Sequence, residues 1–250
     1  MRMEPALRLF CFHHAGGNSG VFKDWKDALP SEVDVMPLDL PGRGRYQRDL
    51  PRRRMAELIE ELGCRVSRSL DIPVALFGHS MGALVAFEVA HFIRATQYAK
   101  LVHLFVAGCP APQCSPIRCP SSNTSNEELV DELRRMRGTP KAVLDSPELM
   151  EIILPTLRAD FEVVETYICR TRARLDCPIR VYGGIDDSER PADSLSGWEE
   201  QSSISCSIQM FPGDHFFPIS YRPQLLKVLS NDLRNVLTRL DPHPSGISSR

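Results

Sequence analysis

The chain has 250 residues, 42% of them apolar and 25% charged, and a formal net charge of −2. That is enough chain for a sizeable buried core, expected as one domain over residues 1–250, and the charge balance gives no reason to expect nucleic acid or an anionic membrane as partner. No apolar stretch approaches the roughly 20 residues that cross a bilayer, and the opening MRMEPALRLFCFHH has too short and interrupted an apolar run for a signal peptide.

Short apolar runs alternate with longer helical patterns. The expected strands are 7–12, 33–38, 74–79, 101–108, 179–184 and 207–213, and the expected helices lie near 20–29, 54–70, 81–96, 190–201 and 221–239. Such alternation argues for a parallel sheet covered by helices on both faces, and the near-continuous apolar strands agree with burial on both sides. One region departs from it. After a Pro-, Ser- and Asn-rich stretch at 106–126, helical patterns near 126–137, 147–154 and 156–170 stand where one crossover helix would do. Residues of about 118–165 are therefore expected to form a helical insertion, a lid over a site, with Met136, Leu149, Ile153 and Phe161 as its apolar lining. The tail 241–250 is expected to be disordered.

The eight cysteines are scattered, unlike the framework of a small secreted domain. Cys11, Cys64 and Cys206 sit inside apolar patterns, where the thiol acts as a small hydrophobe. Cys109, Cys114 and Cys119 are evenly spaced but lack a C-x-x-C pair or a nearby histidine, so no metal site is expected, and the usage fits a reducing cytosol.

The stretch LFGHSMGALVAF (76–87) places Ser80 between two glycines at the junction of a strand pattern and a helix pattern. G-x-S-x-G in that context is a nucleophile elbow: the turn lifts the serine hydroxyl clear of the sheet, and the Met81 N–H opens a helix beside it. A serine needs a base, and here the partners follow in the order Ser, Asp or Glu, His. Of the later histidines, His91 falls in the following helix, His103 in a strand and His243 in the tail. His215 follows the last strand, at the edge where sites collect in open α/β sheets. The acid belongs at the end of the preceding strand, which offers both Asp186 and Asp187. A second oxyanion donor comes from the loop after an early strand, and His14-Ala15-Gly16-Gly17 supplies one with the Ala15 N–H.

CFHHAGG, LPGRGR, FGHSMGALVAFEVA, RGTPKAVLDSPELMEIILPTLRADFEVVETY, GGIDD and PGDHFF together resemble type II thioesterases, the stand-alone editing hydrolases of polyketide and non-ribosomal peptide assembly lines, from about residue 7 to 236. The elbow alone points only to the α/β-hydrolase fold; the lid string and PGRGR make the resemblance specific. It implies that fold, with a mostly parallel sheet flanked by helices, and hydrolysis of acyl groups from the phosphopantetheine arm of an acyl or peptidyl carrier protein. Ser80 would be the nucleophile and His215 the base, with Ala15 and Met81 as the oxyanion hole. The G-x-x-D pattern of related hydrolases, counted from Gly184, selects Asp187 over Asp186. No bound cofactor or metal is implied, the carrier is a transient partner, and the chain is expected to be cytoplasmic and monomeric. His13 stands where the family usually has Pro, and Asp214 where it usually has Gly; a carboxylate beside His215 is expected to raise its pKa. Arg43, Arg45, Arg48, Arg52, Arg53 and Arg54, against only Asp49, form a candidate docking surface for an acidic carrier helix. A general esterase or lipase of the same fold, and a silent hydrolase-fold binding protein, are the rival readings.

Overall fold

The computed structural model describes residues 4–97, 99–114, 123–188, 190 and 192–240. The tail 241–250, His243, Cys119 and the 118–122 end of the expected insertion lie outside the described residues. In chain order the elements are β1 (Leu7–Phe12), α1 (Trp25–Ala28), β2 (Val33–Leu38), α2 (Met55–Val66), β3 (Val74–His79), α3 (Met81–Thr96), β4 (Leu101–Ala107), α4 (Asn126–Met136), α5 (Lys141–Leu144), α6 (Pro147–Glu165), β5 (Ile179–Gly184), α7 (Ala192–Leu195), β6 (Cys206–Phe211), α8 (Phe217–Ser220) and α9 (Arg222–Leu240).

The strands form one six-stranded sheet in the order β2-β1-β3-β4-β5-β6, and every pairing in it is parallel. The chain leaves β1 for β2 on one side and returns to β3 on the other, so the strand order reverses between β1 and β3. Their carboxyl ends flank the crevice where open α/β sheets take ligands.

Alternation along each strand feeds two cores. Leu7, Leu9, Cys11, Ala75 and Phe77 pack with Trp25 and the inner face of α9. Phe10, Phe12, Leu76, Leu104 and Val106 pack with α2 and α3 on the opposite side. Each of these strand side chains is shut off from water, which explains the near-continuous apolar runs. α2 contributes one stripe, Met55, Leu58, Leu62 and Val66, whereas α3 is apolar almost all round because it lies in the middle of its layer.

The insertion builds a small core of its own from Leu129, Leu133, Leu144, Met150, Leu154, Leu157 and Phe161. A capping box between Ser125 and Glu128 starts α4. Ser146 caps α6, with Pro147 at the first helical position. The expected break near residue 155 is absent: α6 runs unbroken through Pro155. Pro155 and Glu151, whose carbonyl loses its partner, both sit on the exposed side, so the missing hydrogen bond falls where water reaches it. The expected helix over 20–29 is two short pieces, a 3-10 turn at Ser19–Phe22 and α1. Cys64 lies on the exposed side of α2 and not in the core. Among the described residues no helix is long and apolar enough to cross a membrane.

Candidate active site

Ser80 has φ 57° and ψ −122°, a conformation disfavoured for any residue with a Cβ. Its N–H donates to the Ala107 carbonyl at 2.8 Å, and its carbonyl accepts from Ala83 N–H at 2.9 Å, so the sheet and the first turn of α3 hold it from both sides. The flanking glycines are a matter of space. A Cβ on Gly78 would lie 2.1 Å from the Gly82 carbonyl oxygen, and one on Gly82 would lie 2.3 Å from that of Phe12. Only without them can α3 start directly against the ends of β1 and β3.

The structure brings Ser80, His215 and Asp187 into one line. Ser80 Oγ lies 2.9 Å from His215 Nε2, and His215 Nδ1–H donates to Asp187 Oδ2 at 3.0 Å. A carboxylate can only accept, which fixes the imidazole tautomer with Nε2 free to take the serine proton. Asp187 is buried and also accepts from the Arg190 N–H at 3.2 Å. Burial pushes its pKa up, but His215 and Arg190 outweigh this and hold the carboxyl below its ordinary value. Asp186 turns away to solvent and accepts from the Gly213 N–H at 3.1 Å.

Burial lowers the His215 pKa, against the opposing pull of Asp187, and the net direction is down from 6.5. Asp214 does pull it upward, as its charge requires, but too weakly to reverse the sign. Its side chain is occupied in capping the turn, accepting from the Phe216 N–H at 2.9 Å. His13 is wholly buried, with Nδ1 2.8 Å from the His14 carbonyl oxygen, and is pushed down to about 4, first by burial and then by Arg43.

Met81 opens α3, so its N–H has no intrahelical acceptor. In the loop after β1, Gly16 N–H donates to Asp160 and Gly17 N–H to the His14 carbonyl. The Ala15 amide beside them donates to no acceptor among the described residues. Ala15 and Met81 both border a cavity of about 430 Å³ that opens onto Ser80 and His215.

The far wall of the cavity comes from the insertion. Met136, Ile153 and Phe161 line it, joined by Leu133, Leu157 and Val164. Leu149 does not: it is 43% exposed, outside the cavity. The inward stripe of α6 runs through Met150, Leu154, Leu157 and Phe161, and Leu149 is one step, about 100°, round from it in the first turn.

Arg43 is not on a docking surface. It is buried against Asp160, with Nη1 and Nη2 donating to the two carboxylate oxygens at 2.6 and 2.7 Å. Arg52 pairs with Glu61, and Arg53 and Arg54 both pair with Glu162 on α6. The exposed Arg45 and Arg48 make no ion pair among the described residues.

His79 escaped the sequence reading. Its Nε2–H donates to the His215 carbonyl at 2.9 Å, and burial drives its pKa well below 6.5, so it stays a neutral strut beneath the His215 loop. Its place as the residue before the elbow serine was the available signal. Asp160 was missed too, since only the fold brings it to Gly16. His91 packs on Phe87, and His103 stacks on Phe105, away from the cavity. No group of three His, Cys, Asp or Glu able to hold a metal ion occurs among the described residues.

A parallel sheet with an elbow serine, a histidine after the last strand and an acid after the one before is the architecture of an α/β-hydrolase. Within that class the Thioesterase domain profile matches residues 7–233, nearly the whole chain. The chain belongs to this thioesterase family. It is 38% identical to the gramicidin S biosynthesis protein GrsT of Aneurinibacillus migulanus over 92% of this chain and 90% of that protein. Among solved structures it resembles the RedJ thioesterase from the prodiginine pathway of Streptomyces coelicolor, with a TM-score of 0.85 and 34% identity over 91% of this chain and 86% of that one. It also resembles the type II thioesterase BorB from the borrelidin biosynthetic cluster, with a TM-score of 0.83 and 32% identity over 93% and 96% of the two chains.

Proposed function

We propose that the chain hydrolyses acyl groups from the phosphopantetheine thioester of a carrier protein, as an editing or releasing enzyme of polyketide or non-ribosomal peptide synthesis. The observation that carries this reading is the line Ser80–His215–Asp187 at the mouth of an apolar cavity. His215 Nε2 takes the Ser80 proton as Oγ attacks the thioester carbon, and Asp187 stabilises the imidazolium that results. The Ala15 and Met81 N–H groups receive the oxyanion. Collapse of the tetrahedral intermediate expels the thiol, which takes the proton from His215. A water then attacks the acyl-enzyme with His215 as base, releasing the acid and restoring Ser80.

Nucleophile, proton and oxyanion donors all come from the protein, so this chemistry draws on no metal or bound cofactor. They also come from one chain, so a monomer suffices. Preference for a carrier-bound thioester over an oxygen ester rests on the kinship with pathway thioesterases such as RedJ and BorB. Purified protein assayed against a panel of acyl-loaded carrier proteins and matched oxygen esters tests it. We expect carrier thioesters to turn over fastest, fluorophosphonate to label Ser80, and Ser80→Ala to lose about 10⁴-fold or more in kcat. Preferential ester turnover would favour a general esterase, and labelling without hydrolysis of any acyl substrate would sink the reading.

A further inference from the structure

The two strings that set this chain apart from a generic hydrolase, PGRGR after β2 and LRAD in α6, meet behind the loop that carries Ala15. Asp160 Oδ2 accepts from the Gly16 N–H at 2.7 Å and from Arg43 Nη1 at 2.6 Å, and Oδ1 accepts from Arg43 Nη2 at 2.7 Å. Arg43 also reaches the Gly17 carbonyl at 3.4 Å. The Asp160 and Arg43 side chains are only 4% and 9% exposed. Gly16 has φ 73°, and a Cβ there would lie 2.6 Å from Leu157 Cδ1, so α6 is pressed onto the loop over two successive turns.

We propose that Asp160, oriented by Arg43, is a positioning residue for the oxyanion loop, so that the insertion helix takes part in assembling the reactive site as well as roofing it. This rests on the functional reading above. Holding the Gly16 N–H fixes the plane of the peptide between Ala15 and Gly16. With the preceding peptide held by the Gly17 N–H on the His14 carbonyl, the two bonds together fix the Ala15 torsions and so the aim of its N–H. A charge-assisted acceptor is shorter and stronger than a neutral one, which suits a donor that must not drift. A buried ion pair is weak evidence for stability in itself, since apolar residues of similar volume often serve as well. What an apolar pair would not replace is the oxygen that accepts from Gly16. When α6 lifts from the sheet, that acceptor leaves with it, so a properly aimed Ala15 amide accompanies a closed roof.

Two double variants separate positioning from packing, because both remove the buried charges together. Arg43→Met/Asp160→Asn keeps an oxygen for the Gly16 N–H; Arg43→Met/Asp160→Leu removes it. With a small-molecule acyl thioester we expect the Leu variant to lose about 10²-fold in kcat with KM little changed, the scale of one oxyanion donor. The Asn variant should lose only about fivefold. Affinity for a trifluoromethyl ketone analogue, which forms a tetrahedral oxyanion on Ser80, should fall in parallel with kcat, while affinity for the unreactive thioether analogue should hold. Equal kcat in the two variants, or a loss confined to KM and thioether binding, overturns the proposal. Should the Leu variant fail to melt cooperatively, Asp160→Glu decides: it keeps the charge pair and shifts the acceptor by one methylene, and unchanged kcat and ketone affinity would refute positioning. Ser80→Ala run alongside keeps the two readings apart, since turnover surviving that change defeats the nucleophile assignment and not the role of Asp160.

Discussion

The two walls of the cavity are built differently. Ser80, Asp187 and His215 stand at the ends of β3, β5 and β6, beside a sheet buried on both faces. They are held there by a hydrogen bond from Ser80 to the Ala107 carbonyl and by bonds from Arg190 to Asp187 and from His79 to His215. The opposite wall, from Leu133 to Phe161, rests on a separate small core. Among the described residues Arg43–Asp160 and the Glu162 pairs tie it to the sheet side, and only the end of α6, at Val163 and Val164, joins the sheet's own core. Free energy of local opening follows buried contact, so the first wall is the rigid one and the second is able to move without unfolding the sheet. Under the proposed function, the contrast suits one fixed chemistry performed on variable acyl chains.

The sharpest test lies within the rigid wall. Asp187→Asn should cost up to about 10⁴-fold in kcat, because an amide favours the wrong imidazole tautomer; this figure follows the serine-protease example of an Asp→Asn change. Asp186→Asn, whose carboxylate accepts from the Gly213 N–H and is otherwise exposed, should cost less than about fivefold. Steady-state kinetics of both variants on one thioester decide it. A crippled Asp186 variant beside a mild Asp187 one would break the assignment.

The same contrast explains what the sequence could disclose. Short apolar runs marked the six strands, near-continuous where both faces are buried. The G-x-S-x-G around Ser80 was readable as a local motif, although the backbone that forbids a side chain at Gly82 is that of Phe12 at the end of β1. His215 was legible from chain order. The links between the walls were not: Asp160 lies 144 residues from Gly16, and nothing local distinguishes its role from that of any helix carboxylate. Arg43 read as one of six surface charges for the same reason. Leu149 misled because apolarity in a first turn does not reveal which way that turn faces. Pro155 suggested a break that tertiary packing and a solvent-facing carbonyl override.

The insertion wall should govern chain length and leave the chemistry intact. Ile153, half-buried on the cavity side of α6, can be enlarged without disturbing a strand end. Ile153→Trp is expected to reduce turnover of long acyl chains by about ten- to a hundredfold, the scale on which an apolar pocket discriminates by a few methylenes. Acetyl thioesters should lose less than about threefold. Equal loss on both would show that this wall supports the reacting groups and not merely the chain.

Acid should act on the sheet-held wall, which contains His13, His14, His79 and His215, while residues 126–165 contain no histidine. His215 must be neutral to accept the serine proton, and its pKa is depressed, so the acid limb of kcat/KM should have its midpoint below pH 6.5 and fall about tenfold per unit beneath that midpoint. Asp214→Asn removes a charge that favours the imidazolium and should move the limb to lower pH. Stability follows the same sign. His13 and His14, pushed down to about 4 and about 3, remain neutral in the folded protein, whereas the unfolded chain takes up protons near 6.5. The unfolded state then binds more protons, so stability is full above pH 6.5 and is lost as pH falls toward 4, by on the order of 1.4 kcal/mol per unit for each group. Thermal melts between pH 7 and 4 measure it, and a flat Tm over that range would contradict the assignment.

The smallest effect is expected outside both walls. Arg45 and Arg48 follow β2, and in a parallel sheet the carboxyl end of β2 lies at the same edge as the elbow. Their exposed guanidiniums are the part of the arginine run without an ion pair among the described residues, whereas reversal at Arg52, Arg53 or Arg54 would break pairs with Glu61 or Glu162 and disturb the fold locally. Rim charges act mainly on encounter rate and its salt dependence, and a single exposed pair contributes about 0.2–1 kcal/mol. Arg45→Glu/Arg48→Glu should therefore raise KM for a carrier-bound substrate about three- to tenfold at low salt, with the difference shrinking at 0.5 M salt as screening takes over. Turnover of a small-molecule thioester should be unchanged, since neither residue borders the cavity. A carrier KM indifferent to both charge and salt would remove this rim from the docking surface and leave the rigid and movable walls as the only determinants of substrate choice.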